Sequence, residues 1–305
     1  MIRLLSYWPP YFFAGISVLQ SCPKPRQHST CFGAHGGRHS PNHGNLDMVM
    51  TRWILEVGNT RVKWAGFDAG LAISSSPTHL ESSAAQDTSM AQKWANQVQV
   101  NDLVWVSGSG ELEPWTRVAP QARVFKPGDD IPLKSKVTKP EKLGLDRVAN
   151  VWGVIHGAIA DADGLDSWLI VDAGTCVTMD FVQDGMHHGG TISPGIQMRL
   201  SAMAQGTAHL PKLSIVEHTP SNLGEPSALG LNTEAALLAG AVGGLSAEIE
   251  GKWSALRQEV PNLGLVITGG DASYLELRSI RPKFADAHLT LKGHHALLQH
   301  FNDPS

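Results

Sequence analysis

The chain has 305 residues, 42% of them hydrophobic, with 24 Lys and Arg against 28 Asp and Glu for a formal net charge of −4. Such a hydrophobic fraction buries a sizeable core and the length suits about two domains, which excludes disorder as the main state. The slight acidic balance excludes an obligate nucleic-acid binder, because gripping phosphate backbones demands a cationic surplus. After residue 50 there is no run of about 18 apolar residues, so no helical membrane span is expected in the body. Of Cys22, Cys31 and Cys176 only the last lies in the body, which favours a reducing cytoplasm over a disulfide framework.

The first 49 residues read differently from the rest. An apolar stretch from Leu4 to Leu19 is broken by Pro9 and Pro10 and lacks a small-residue cleavage pattern, and a tract rich in His, Gly, Pro and Ser follows it. Cys22, His28, Cys31 and His35 match no usual zinc-finger spacing. Residues 1–49 are therefore read as a non-native or disordered extension, with translation starting at Met48 or Met50.

From Arg52 to Val57 an apolar run ends at Gly58-Asn59-Thr60, and Val62, Trp64 and Gly66 then alternate with Arg61, Lys63 and Ala65. That pattern predicts strand, tight turn, strand. A second apolar run, Trp168 to Asp172, ends at Ala173-Gly174-Thr175 and leads into a strand-like stretch to Val182. Glu56 and Asp172 lie 116 positions apart, as do Gly58 and Gly174, so the strand, acid-x-Gly turn, strand unit is duplicated. A glycine directly after a buried strand lets backbone approach a ligand, and neighbouring Asn and Thr groups then point at phosphate oxygens. A carboxylate two residues earlier can hold a metal ion against the same phosphates. One such turn is commonly a plain hairpin. Two facing copies, one per domain, form a cleft that grips a nucleoside triphosphate from both sides.

Between the copies, Leu103 to Ser107 reads as a buried strand ending in Gly108-Ser109-Gly110. The apolar spacing of Val148, Val151, Trp152, Ile155 and Ile159 predicts a helix that begins at Gly144 to Arg147, where Asp146 is either a first-turn residue favoured by the helix dipole or a functional acid. Downstream, His188 to Gly195 reads as a strand-to-helix turn, and a helix follows through Met198 and Met203. A long helix is expected from about Thr233 to Arg257, then a buried strand Leu265 to Thr268 ending in Gly269-Gly270-Asp271. The glycine pair is a candidate seat for an adenine ring.

In this order, Glu56-Val-Gly-Asn-Thr60, Gly144-Leu-Asp-Arg147, Asp172-Ala-Gly-Thr175, Gly189 to Gly195 and Thr268-Gly-Gly270 resemble the type III pantothenate kinases of bacteria. The resemblance runs from about Ile54 to the C-terminus. It implies an α/β fold of duplicated ribonuclease H-like domains of the actin/hexokinase/Hsp70 type flanking a nucleotide cleft, with residues 50–164 and 165–305 as the two domains. It implies transfer of the ATP γ-phosphate to the primary hydroxyl of pantothenate, the first step toward coenzyme A, with magnesium and a monovalent cation, potassium or ammonium. By similarity, Glu56, Val57, Gly58, Asn59, Thr60, Arg61, Val62 and Lys63 form the first phosphate loop, Thr175 touches ATP, and Asp172 holds the monovalent cation. Gly144, Leu145, Asp146 and Arg147 bind pantothenate, Asp146 accepts the hydroxyl proton, and Thr233 matches a substrate-binding threonine. A cytoplasmic homodimer is implied. Two positions depart from the family: Glu56 stands where Asp is usual, and Val137 stands where many members carry a tyrosine. The alternatives are a kinase of the same fold for another small hydroxylated substrate and a non-catalytic regulatory homologue akin to transcription accessory factors.

Overall fold

In the computed structural model residues 50–129, 131–160, 162, 164–218 and 229–302 are described. The expectations for the extension, residues 1–49, lie outside the described residues. The run from Trp53 to Val57 forms β1 (Thr51–Val57), which turns back into β2 (Arg61–Asp68) in antiparallel register, Glu56 opposite Lys63. β3 (His79–Ala84) continues the antiparallel meander, and β4 (Leu103–Gly108) and β5 (Arg123–Val124) add parallel strands on the other side, giving the order β3-β2-β1-β4-β5. The second half repeats it. β6 (Ser167–Ala173), β7 (Cys176–Gln183) and β8 (Met186–Pro194) form the meander and β9 (Leu263–Thr268) and β10 (Lys283–Ala285) the parallel pair, in the order β10-β9-β6-β7-β8. Read from the meander edge the two sheets have one topology, so the duplication seen in two turns extends to ten strands, and the fold is the expected pair of ribonuclease H-like α/β halves.

Period-two alternation assigns each strand residue to a face. On the outer face of the first sheet, Trp53, Leu55, Val57, Trp64, Val104 and Val106 pack against α1 (Met90–Ala95) and α2 (Glu113–Val118). On the outer face of the second, Leu169, Val171, Val177, Met179 and Leu265 pack against α4 (Ile196–Gln205), α5 (Thr233–Leu238) and α6 (Gly244–Glu259). Two helices fill the space between the inner faces. α3 (Leu145–Ile155) turns Leu145, Val148 and Trp152 toward Ile54, Phe67 and Trp105 of the first sheet, and Val151 and Val154 toward Trp168, Ile170 and Val266 of the second. α7 (Leu289–Asn302) lays Leu291, Leu297 and Leu298 on the first sheet and Leu289 on the second. At their crossing Gly153 and Gly293 bring the backbones together: a Cβ on Gly293 would sit 1.9 Å from Ala149 O.

Three local expectations are corrected. α3 stops at Ile155 rather than reaching Ile159, because Gly157 adopts a left-handed φ of 84° that closes the helix. His188 to Pro194 is strand β8, not a turn; two glycines and a proline mask a sequence held in place by its ladder with β7. The long helix from Thr233 is two helices joined through a π-helical turn at Ala239–Gly243.

Candidate active site

The same alternation puts Glu56 and Asp172 on the inner faces, each one residue before the carboxyl end of a central strand, Val57 and Ala173 being turned outward. Both carboxylates line a cleft of about 510 Å³ between the sheets. The first hairpin turn has one residue more than the second: β2 begins at Arg61, four positions after Val57, and β7 at Cys176, three after Ala173. Gly58 N donates to Arg61 O at 2.9 Å and Gly174 N to Cys176 O at 3.1 Å. The two turns meet in the cleft, where the hydroxyls of Thr60 and Thr175 lie 3.0 Å apart.

A second pair of turns supports them. Gly108 ends β4 and Gly269 directly follows β9, with φ of 141° and 94°, and a Cβ there would sit 2.0 Å from Val57 O and 2.3 Å from Ala173 O. Gly110 N donates to Val57 O at 2.9 Å, and Asp271 N to Ala173 O at 2.8 Å. Left-handed glycines are thus required where each fourth strand closes over the end of the first. This repeat was visible in the sequence as Ser107-Gly108 and Thr268-Gly269, a hydroxyl residue and a glycine at one further fixed offset.

Glu56 Oε2 has no hydrogen-bond partner, and its nearest cation is Lys63 Nζ at 4.0 Å. Burial pushes the Glu56 carboxyl up to about 7, Lys63 opposing and Asp172 and Asp146 reinforcing. Burial likewise raises Asp172, against a hydrogen bond of 3.0 Å donated by Asn150 Nδ2. Asp146 is exposed in the first turn of α3, its Oδ1 accepting the backbone N–H of Arg147 at 2.8 Å. It lines the cleft from the first turn of α3, a place compatible with both the first-turn and the functional reading.

Glu56, Val57, Gly58, Asn59, Thr60, Arg61, Lys63, Gly144, Leu145, Asp146, Asp172 and Thr175 are brought together around the cleft. Three expected residues are not among its lining. Val62 is buried under the first sheet with Trp64 and Trp94. Thr233 is exposed at the start of α5, behind the Asn232 side chain that caps it. Arg147 sets its guanidinium on Asp180, Nε 3.0 Å from Oδ2 and NH2 2.5 Å from Oδ1. Sequence reasoning missed Asp180, His187 and Asn150, whose roles depend on partners far away in the chain. It also missed His294 of α7 at the cleft floor, whose Nδ1 accepts from Trp105 Nε1 at 3.3 Å.

No group of three or more His, Cys, Asp or Glu among the described residues makes a metal cage. An orphaned buried carboxylate oxygen on Glu56 facing a second carboxylate, Asp172, does fit magnesium, which takes one or two carboxylates, keeps several waters and completes its shell with substrate phosphates.

The family model described as type III pantothenate kinase matches residues 53–255. A type III pantothenate kinase of Flavobacterium psychrophilum is 31% identical over 261 residues, covering 83% of this chain and 99% of the relative. One of Phocaeicola vulgatus is 37% identical over 177 residues, 57% of this chain and 66% of the relative. Among solved structures, a Baf family protein from Campylobacter jejuni superposes with a TM-score of 0.50 at 17% identity, covering 82% of this chain and 98% of that one, a likeness of fold. With the family model spanning most of the body and a relative aligned over nearly its whole length, the chain belongs to the type III pantothenate kinase family.

Proposed function

We propose that the cleft carries out its family's reaction with the residues described above in defined roles. The chain is a pantothenate kinase: it transfers the γ-phosphate of ATP to the primary hydroxyl of pantothenate, giving 4'-phosphopantothenate in the first step of coenzyme A biosynthesis. The observation that carries the reading is the pair of opposed strand-end turns, Thr60 against Thr175 at 3.0 Å, with two inward carboxylates beneath them. In the two turns, whose glycine amides close the hairpins, the backbone amides of Asn59, Thr60 and Thr175 and the hydroxyls of Thr60 and Thr175 cradle the phosphates, and Lys63 adds positive charge. Gly144, Leu145 and Asp146 seat pantothenate in the cleft, and Thr233, outside the lining of that cleft, is assigned a substrate contact by the family resemblance alone. The Asp146 carboxylate takes the proton of the substrate hydroxyl as that oxygen bonds to the γ-phosphorus and the bond to ADP breaks. Glu56 and Asp172 hold the divalent ion, which when bound neutralises phosphate charge, and Asp172 also serves a potassium or ammonium ion. Phosphoryl transfer asks a protein mainly for positioning and charge neutralisation, and this set of groups supplies both.

The proposal includes residues 50–164 and 165–305 as the two domains, a homodimer as in the family resemblance, and a cytoplasmic location. Among the described residues no helix is long and apolar enough to cross a membrane. ADP release measured with and without pantothenate tests the activity, and Asp146→Asn tests the assignment. The variant is expected to bind ATP and lose about 10²–10⁴-fold in turnover. Retention of more than about a tenth of the wild-type rate would return Asp146 to the status of a helix-start residue. The second reading, a regulatory homologue, is favoured by Glu56 alone. An inert wild type in which Glu56→Asp gains pantothenate-dependent ADP release would establish it.

A further inference from the structure

Arg147 adjoins Asp146, yet its guanidinium is engaged elsewhere: Nε and NH2 both reach the Asp180 carboxylate on β7, whose side chain is 2% exposed. His187 Nε2 lies 2.8 Å from the same carboxylate, and His187 Nδ1 lies 2.9 Å from Ser135 Oγ. Ser135 belongs to a strap that pairs with β8 around His187, Lys136 N donating to His187 O and His187 N to Lys134 O, each at 2.9 Å. Val137 N donates to Ser135 Oγ at 3.2 Å. In the neutral tautomer of His187 with its proton on Nε2, that N–H donates to Asp180 and Nδ1 accepts from the Ser135 hydroxyl, a set of roles in which every hydrogen of the chain has an acceptor. β8 crosses directly over the ion pair. A Cβ on Gly190 would sit 2.7 Å from Asp180 Oδ1 and 2.8 Å from Arg147 NH2.

This network is too well satisfied to be incidental, since an ion pair that is buried is favourable only when its remaining lone pairs and protons are met. It also lies where it matters for the reaction. The backbone N–H of Arg147 is the donor that fixes Asp146 Oδ1, so anchoring the Arg147 side chain anchors the peptide that aims the Asp146 carboxylate. Three residues further along the same helix, Asn150 donates to Asp172 on β6 at 3.0 Å, a second polar tie from α3 to the second sheet. Helix positions three apart share a face, so both ties hold one side of α3.

We propose that Arg147 is a positioning residue, and that with Asp180, His187 and Ser135 it forms a strut that holds the first turn of α3, and so Asp146, in register with the phosphate turns. The assignment rests on Asp146 as the group that orients the substrate hydroxyl. Misplacement of a reacting group by about 1 Å costs on the order of a hundredfold, so Asp180→Asn and His187→Ala are expected to lower kcat about ten- to a hundredfold. KM for pantothenate and for ATP should stay within about threefold, as for loss of an interaction that acts only in the transition state. His187→Gln should recover most of the rate lost in His187→Ala, because its amide N–H can reach Asp180 while its carbonyl accepts from Ser135.

Rates are taken per folded molecule, with circular dichroism and melting temperature measured on each variant. A strut that served stability alone would lower the melting temperature and leave kcat in place, and that result overturns the proposal. A raised KM for pantothenate at unchanged kcat overturns it too, making Arg147 a substrate contact. If Asp180→Asn does not fold, Ser135→Ala at the half-buried end of the chain and the Gln-against-Ala comparison at His187 decide by the same criteria. Asp146→Asn is assayed alongside. If it keeps its rate, both assignments fall; if it loses its rate while the strut variants keep theirs, only the strut falls.

Discussion

Glu56 shows how one methylene is accommodated at a strand end. A glutamate carboxylate lies roughly 1.5 Å further from its backbone than an aspartate's. In this chain Glu56 Oε2 has no hydrogen-bond partner and lies 4.0 Å from Lys63 Nζ. Its folded-state carboxyl near 7 lies above the unfolded reference of 4.5, so between those values the native state holds more protons than the unfolded chain. The group's contribution is therefore present at low pH and lost as pH rises through 7, by about 3 kcal/mol at most. His294 and His295 act oppositely: burial pushes them down to about 3 and about 4, so the native state binds fewer protons and gains stability as pH rises toward 6.5. Because the terms overlap, the test is a difference between proteins. The melting temperature of ligand-free Glu56→Gln minus that of wild type is expected to grow from pH 5 to pH 8, and a flat difference would show that Glu56 ionises freely. The acid and its place before a glycine were legible in the sequence; the missing partner was not, because it depends on the packing of Lys63 across the hairpin.

Among elements, the helix crossing carries the tightest steric requirement. A methyl group on Gly293 would meet Ala149 O at 1.9 Å, and one on Gly153 would meet Gly293 Cα at 3.0 Å. Gly251 in α6 has nothing within 4 Å of its ideal Cβ position. Opposite outcomes follow from the same substitution. Gly251→Ala is expected to stabilise by up to about 1 kcal/mol from helix propensity alone, whereas Gly293→Ala should destabilise by at least 1–3 kcal/mol because α3 and α7 must move apart. Chemical denaturation of the two variants checks the sign of each. The periodicity of Val148, Val151, Trp152 and Ile155 announced α3, since apolar residues recur on both of its faces. α7 escaped notice because Lys292, His294 and His295 interrupt its apolar pattern, although all three are buried: Lys292 meets Asp286 at 2.7 Å and His295 stacks on Phe67 at 4.3 Å between ring centroids. Polar residues with partners 6 and more than 200 positions away give no local signal.

At the scale of the whole molecule, the repeat of a turn at one offset was enough to reveal two matching halves, because an acid and a glycine recur at the ends of the same central strands. What it did not reveal is that the halves share their interior. α7 comes from the end of the chain but buries Leu291, Leu297 and Leu298 against the first sheet, and α3 covers Trp168, Ile170 and Val266 of the second. A polypeptide ending at residue 164 would thus expose the inner face that α7 covers, and one beginning at residue 165 would expose α7's leucines and the inner face that α3 covers. Burying a leucine contributes about 1.5–3 kcal/mol, so three leucines amount to roughly 5–9 kcal/mol. That is comparable to the whole of a typical domain's 5–15 kcal/mol. Neither half should fold alone, and the full chain should melt in one calorimetric transition whose measured and van't Hoff enthalpies agree. Residues 50–164 and 165–305 expressed separately are expected to lack a cooperative thermal transition and to regain one on mixing. A cooperative transition in either half by itself would show that its sheet is stable without the helix contributed by the other, and the shared layer would then be a docking surface between independent folding units.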